Sequence, residues 1–386
     1  MFRFRWLPMT DPIENRHPTD QTRTVKGCIL TPDGWVTGQM AHDAGVTAIS
    51  GDPTDSPHAP YILPGFVDLH VHGGGGADMM AGTDSIRTAA RLHARHGTTS
   101  LLATSVTAPA RDISTFLDAV ATVCNALQAD EARVLGAHLE GPFINPDKLG
   151  AQPPHAQPAD AAQLRDWAAR APVRVMTYAP EMDDNGDLLA ALRDLGIRAQ
   201  LGHSLCDYAT AKAAIACGCG ITHLFNAMSP LGHRDNGLGG AALAHATFAE
   251  IIPDLIHVEP GAILAARRAI PKLYGVTDAT AGAGMPDGEY RLGALTAHKR
   301  DGSMRLPDGT LAGSALTMDQ ALRNLVAVGV PLDEAASRLS TIPADWLGQT
   351  DIGRLAVGSH ADFTIFDADL ILTEVRVAGL SVPQPR

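Results

Sequence analysis

The chain lacks any apolar run long enough to cross a bilayer, and Met1 to Met9 carry two arginines without the hydrophobic stretch or cleavage site of an export signal. It is also short of positive charge. Thirty lysines and arginines against 42 aspartates and glutamates leave a formal net charge of −12, which excludes the basic face that a nucleic acid or an anionic membrane requires. A small anionic substrate can still be met by local cations. Cysteine is scarce and odd in number: Cys28, Cys124, Cys206, Cys217 and Cys219 are scattered through 386 residues, too long a chain to need disulfide staples. Cys217-Gly-Cys219 has no second pair to complete a zinc knuckle. There is no solenoid-period repeat and no low-complexity tract. Together these absences point to a cytoplasmic globular protein whose partner is a small molecule.

What the chain does have is a change of rhythm. Residues 1–23, rich in Pro, Asp, Asn, Thr and Arg without periodicity, read as a loose leader. Thr24 to Ser50 alternates short apolar pieces with Gly, Pro and Asp turns, as small antiparallel strands do, and Asp52 to Pro60 breaks the pattern. From Pro64 onward strand, loop and helix repeat. Strands are predicted at Val67 to Val71, Thr98 to Val106, Val134 to Leu139, Val173 to Tyr178, Arg198 to Leu201, Ile221 to Phe225, Ile251 to Val258 and Leu273 to Thr277. Eight such alternations predict an α/β chain whose residues 64–348 form a (β/α)8 TIM barrel. The tail returns to short strands, so residues 24–63 and 349–386 are expected to pair into a small β-sandwich domain.

The stretch Pro64-Gly-Phe-Val-Asp-Leu-His-Val-His-Gly-Gly-Gly-Gly76 puts His70 and His72 at the end of the first strand with period-two spacing, so both imidazoles point one way. Such a pair is half a metal site. In a barrel, reactive groups gather where strands end, and those positions add Glu140, His203, His223 and Asp278. Taken singly, Glu140 is a loop cap, His203 a hydrogen-bonded core residue and Asp278 a helix cap. Six candidate ligands converging on one face are better explained by a divalent metal.

Several words in the chain resemble the amidohydrolase superfamily, and more narrowly its N-acetylglucosamine-6-phosphate deacetylases. They are Pro64 to Gly73, His138-Leu-Glu-Gly-Pro-Phe143, Leu201-Gly-His-Ser204, Thr222-His-Leu-Phe-Asn-Ala-Met228, Val276-Thr-Asp-Ala-Thr280 and Leu311-Ala-Gly-Ser314. Hydantoinases and dihydroorotases bring a lysine for carboxylation where this chain has Glu140. The resemblance implies one ion on Glu140, His203 and His223 and a second on His70, His72 and Asp278, with zinc first and iron, manganese or cobalt as alternatives. His138 is read as supporting the ligands rather than joining them.

By the same resemblance, Asp278 is the catalytic acid and base, and Asn226, the Ala227 backbone, Arg234 and His257 contact the sugar phosphate. Ala151, Gln152 and the backbone of Leu311, Ala312 and Gly313 line the rest. The loop carrying Arg234 reaches a neighbouring subunit's site in this family, which implies a homodimer. The substrate implied is N-acetylglucosamine 6-phosphate. One departure stands out: Pro253-Asp-Leu-Ile-His257 replaces the family's Ala-Asp-Gly-(Leu/Val)-His, and Leu255 in place of glycine is expected to add bulk beside the sugar. The alternatives are another N-acetylated hexosamine, a different amide, or a barrel that has lost its chemistry.

Overall fold

A computed structural model describes residues 22–383. At its centre eight parallel strands, Phe66–Val71, Thr98–Ser105, Arg133–Glu140, Val173–Tyr178, Arg198–Leu201, Gly220–Ile221, Phe248–Ile251 and Lys272–Gly275, follow one another around a sheet in chain order. A parallel bridge from Val71 to Ala279 joins the first strand to the chain beyond the eighth and closes the barrel. The second and third strands are buried at every position, because side chains fill the barrel on one side and helices cover it on the other.

The covering helices carry their apolar residues at helical spacing. Thr83–Arg95 buries Ile86, Ala89, Ala90, His93 and Ala94, and Ala110–Cys124 buries Ile113, Phe116, Leu117, Val120 and Val123. Where helices follow directly on a turn, aspartates start them. Asp160 accepts from the amides of Ala162 and Gln163, and Asp207 from that of Thr210, satisfying donors that the first turn leaves free.

The two chain ends meet in one hydrogen-bonded sheet of seven strands. Arg23–Thr31, Gly34–His42, Val46–Pro53 and Tyr61–Pro64 come from the front, and Phe363–Phe366, Leu372–Val377 and Leu380–Ser381 from the back. Tyr61–Pro64 lies between Arg23–Thr31 and Phe363–Phe366, so it stitches the two contributions together. Ile29, Met40, Ile62, Phe363 and Ile365 form this sheet's own core. Gly65 then hands the chain to the first barrel strand, and a Cβ there would meet Thr99 at 2.3 Å. The leader read at residues 1–23 lies outside the described residues except for its last two positions, and Arg23 already belongs to a strand.

Several boundaries differ from the sequence expectation. The sixth strand is only Gly220–Ile221 instead of running to Phe225, because His223, Phe225 and Ala227 all take left-handed backbone that no strand can hold. The seventh strand is Phe248–Ile251 and ends before Pro253, which has no amide to donate. Leu238–His245 is a short helix that follows the loop carrying Arg234. Between the eighth strand and the last helices the chain builds a four-stranded antiparallel sheet, Gly288–Leu292, Leu295–Arg300, Ser303–Arg305 and Leu311–Ser314, at the barrel mouth.

Candidate metal centre and pocket

The strand ends place the six acidic and imidazole side chains at one spot. His70 is in the first strand and His72 just past it, Glu140 ends the third, and His203, His223 and Asp278 follow the fifth, sixth and eighth. The last three share a feature: their φ angles are 48°, 26° and 48°. Left-handed backbone in a residue with a side chain costs of order 1–3 kcal/mol and persists only where the surroundings impose it. Here it turns each side chain from the strand direction into the barrel mouth.

Glu140 stands in the middle. Its Oε1 lies 2.9 Å from His223 Nε2, 3.1 Å from His203 Nε2 and 3.4 Å from His70 Nε2. Its Oε2 lies 3.2 Å from His72 Nε2. Asp278 Oδ1 faces the first-strand pair at 3.3 Å from His72 Nε2 and 3.7 Å from His70 Nε2. The Nε2 atoms themselves come close, 3.1 Å between His70 and His72 and 3.1 Å between His203 and His223. Gln152 donates to Glu140 Oε2 and accepts from the Thr107 amide at 2.6 Å, which fixes the carboxylate from the pocket side.

The far sides of two rings decide what the near sides can do. His203 Nδ1 donates to the Lys148 carbonyl at 2.8 Å, and His70 Nδ1 donates to Glu250 Oε2 at 3.0 Å. In the neutral ring the proton then sits on Nδ1, and the Nε2 lone pair points at carboxylate oxygens that are themselves acceptors. Acceptors facing acceptors repel unless a cation stands between them. The donor set therefore fits a divalent metal, and two groups, His70 with His72 and Glu140, and Glu140 with His203 and His223, have ligand atoms within 4.8 Å of one another.

The titration behaviour follows the same logic. Burial alone would strip protons from His70 and His72, but the carboxylates of Glu140 and Asp278, with Glu250 acting on His70, outweigh it; His70 is raised well above its usual range and His72 to about 9. Burial likewise opposes charge on Glu140 and Asp278. The surrounding imidazoles overcome it, taking Glu140 well below the carboxylate range and Asp278 down to about 2. In the absence of metal this cluster holds protons, and a metal must displace them.

His138 stands apart. Its Nδ1 donates to the Leu69 carbonyl at 2.9 Å and its Nε2 is 2.8 Å from Thr177 Oγ1, so both nitrogens are taken. Burial, reinforced by His70, lowers its pKa to about 4. Sequence reasoning missed Glu250, a lone acid in an apolar strand whose only signal was that incongruity.

Above the cluster is a cavity of about 250 Å³. Of the residues expected to line it, Ala151, Gln152, Asn226, Ala227, His257, Leu311 and Gly313 do so, together with His72, Glu140, His203, His223 and Asp278. Ala312 does not. It alternates with Leu311 and Gly313 and turns into an apolar cluster with Val106, Leu292 and Met304. Arg234 is exposed on the loop after the sixth strand, outside this wall. His257 Nδ1 donates to Asp254 Oδ2 at 2.6 Å; burial works against its charge, but Asp254 outweighs it and raises the pKa, with Arg305 opposing. Leu255 does not crowd the pocket as expected. It packs on the main core, with φ 64°, the conformation for which glycine is the easy choice.

The sequence profile of the amidohydrolase family matches residues 61–382. A protein named N-acetylglucosamine-6-phosphate deacetylase from Vibrio furnissii is 38% identical over 327 residues, 82% of each chain. An N-acetylgalactosamine-6-phosphate deacetylase from Escherichia coli O157:H7 is 34% identical over 364 residues, 91% of this chain and 96% of that one. Among solved structures, the N-acetylglucosamine-6-phosphate deacetylase of Thermotoga maritima superposes with a TM-score of 0.86 at 30% identity, covering 94% of this chain and 100% of the other. A Mycobacterium smegmatis N-acetyl-D-glucosamine-6-phosphate deacetylase variant, solved with N-acetyl-D-glucosamine-6-phosphate, gives 0.85 at 33% identity over 94% and 99% of the two chains.

Proposed function

We propose that this chain, which belongs to the amidohydrolase family and within it to the N-acetylglucosamine-6-phosphate deacetylases, hydrolyses N-acetylglucosamine 6-phosphate to glucosamine 6-phosphate and acetate. The observation that carries the reading is the convergence of imidazole lone pairs and two carboxylates at the floor of a cavity of small-molecule size. Glu140, His203 and His223 would hold one divalent ion, and His70, His72 and Asp278 a second, zinc being the first choice and iron, manganese or cobalt the others. Such an ion, when bound, polarises the amide carbonyl and makes water acidic enough to attack near neutral pH.

The chain's own residues do the rest. Asp278 is ionised throughout the neutral range and stands at the cavity floor, where it accepts the proton of the attacking water. As the carbon–nitrogen bond breaks it returns that proton to the amine, so sugar leaves as amine and the acetyl group as acetate. Gln152 holds Glu140 in place and borders the acetamide end. Asn226, the Ala227 backbone and His257 face the phosphate end, His257 bringing charge favoured by Asp254. Arg234, exposed and outside its own pocket wall, is assigned to the site of a second copy in a homodimer.

We take residues 64–348 as the catalytic barrel and residues 24–63 with 349–386 as the supporting β domain, residues 384–386 lying outside the described residues. Among the described residues no helix is long and apolar enough to cross a membrane, and the five cysteines are unpaired. Free thiols and a phosphorylated sugar substrate both suit the cytoplasm, where we place the reaction. The name of the Escherichia coli relative supports a second reading, in which the galactosamine isomer is preferred. Acetate release measured across N-acetylglucosamine, N-acetylgalactosamine and their 6-phosphates decides between them, and no release from any of the four would remove the deacetylase reading.

A further inference from the structure

We infer that Glu250 is a positioning residue of the metal centre: it fixes His70 in the tautomer that an ion requires and ties it to the opposite half of the cluster. Glu250 is completely buried and is no part of the pocket wall. One of its oxygens, Oε2, accepts from His70 Nδ1 at 3.0 Å and from the main-chain amide of His223 at 3.2 Å. The other, Oε1, accepts from Gln200 Nε2 at 2.9 Å, and the Tyr274 hydroxyl, which donates to Gln200 Oε1 at 2.7 Å, lies 3.4 Å away. Three N–H donors on two oxygens demand an ionised, acceptor-only carboxylate.

The geometry gives this acid two separate tasks. His70 groups with His72 and Asp278, whereas His223 groups with His203 and Glu140, so a single oxygen spans both halves of the cluster. For His70 the contact is decisive, because Glu250 is the acceptor at Nδ1 and thereby leaves Nε2 with its lone pair toward Glu140 and Asp278. For His223 the contact is one of two. The amide of Leu224 also donates to the Glu250 carbonyl at 2.8 Å, and that main-chain bond holds the left-handed turn whatever side chain stands at 250.

The two halves should therefore respond unequally. Glu250→Gln turns an amide NH2 either on His70, which drives the imidazole proton onto Nε2 and blocks ligation, or on Gln200, which is already a donor there. This inference rests on reading the six residues as a metal centre and is independent of which sugar is the substrate.

The test is a zinc titration of the full chain, stripped with chelator, without substrate. Glu250→Gln is expected to weaken the ion at His70 and His72 by about 10- to 100-fold, and the ion at Glu140, His203 and His223 by less. Repeating the substitution in a His70→Ala background identifies the route: the remaining ion should change little further. Unchanged affinities in Glu250→Gln overturn the inference, as does an equal loss in both backgrounds, which would make Glu250 general support for the fold. A wild type that takes up one ion, unaffected by His70→Ala, overturns it too. A wild type that binds none of zinc, iron, manganese or cobalt removes the metal-centre reading itself. Glu250→Asp, which keeps the charge but withdraws it by one methylene, should fall between. If neither variant folds, nitrogen NMR of the zinc-loaded wild type decides, since the ring signal missing from His70→Ala must carry its one proton at Nδ1; a ring protonated at Nε2 alone overturns the assignment.

Discussion

His203 and His223 meet Nε2 to Nε2 at 3.1 Å, and Glu140 Oε1 stands 3.1 Å from one and 2.9 Å from the other. Two imidazole nitrogens and a carboxylate oxygen this close supply three of the donors that a divalent cation takes. The protein purified without chelator is expected to carry one or two divalent ions per chain, and His203→Ala or His223→Ala to lose metal more completely than His70→Ala. Elemental analysis is the check, and less than about a tenth of an ion per chain after attempted loading would contradict it.

Asp278→Asn is expected to keep the fold and lose about 10²- to 10⁴-fold in turnover, because an amide cannot take a proton from water and pass it to an amine. The substitution also touches the His70 and His72 half of the cluster, so metal content must be measured beside the rate. Wild-type turnover at full metal occupancy would take Asp278 out of the reaction.

The chelated protein should lose stability as pH rises from about 6.5 to about 9. His72, raised from 6.5 in the unfolded chain to about 9 in the folded one, contributes stability that is complete below 6.5 and gone above 9. Asp278, lowered from 3.8 to about 2, works the other way, its contribution being present above 3.8 and lost as pH falls toward 2. Thermal unfolding across pH 5 to 10, with and without zinc, separates the effects, since the metal-loaded protein has no proton on these ligands to lose. An alkaline fall of equal size in both forms would place its origin elsewhere.

Arg234→Ala should lower kcat/KM for the 6-phosphate by roughly 10- to 150-fold, the worth of about 1.5–3 kcal/mol for a charge-assisted hydrogen bond, and leave the unphosphorylated sugar nearly untouched. Because Arg234 is assigned to a second copy's site, mixing Arg234→Ala with Asp278→Asn subunits should restore a site that has both groups. Equal losses on both sugars would make Arg234 structural.

The barrel was legible because a buried parallel strand followed by a helix leaves a pattern that repeats eight times, and Val173–Tyr178 and Arg198–Leu201 fall where periodicity puts them. The sixth strand was over-read because Leu224 and Phe225 look like strand, while their conformation is set by the turn that aims His223. The sheet over the mouth, Gly288–Leu292 to Leu311–Ser314, was invisible for a different reason: it is half exposed and short, so it lacks a continuous apolar signal. Glu250 was passed over because a buried acid is recognised by its partners, and His70, Gln200 and His223 lie far from it in sequence.

The sheet that joins the two chain ends makes synthesis of this protein a matter of waiting. Thr364 donates to the Leu63 carbonyl across 301 positions, and at a translation rate of about 5–20 residues per second that separation is roughly 15–60 s. Through that interval the strand Tyr61–Pro64 leaves the ribosome with one edge unpaired, a surface on which other nascent chains can add. Any truncation that removes Phe363–Phe366 leaves that edge open for good, so loss of the last few strands should show first as aggregation during expression, before any effect on the distant metal ligands is felt.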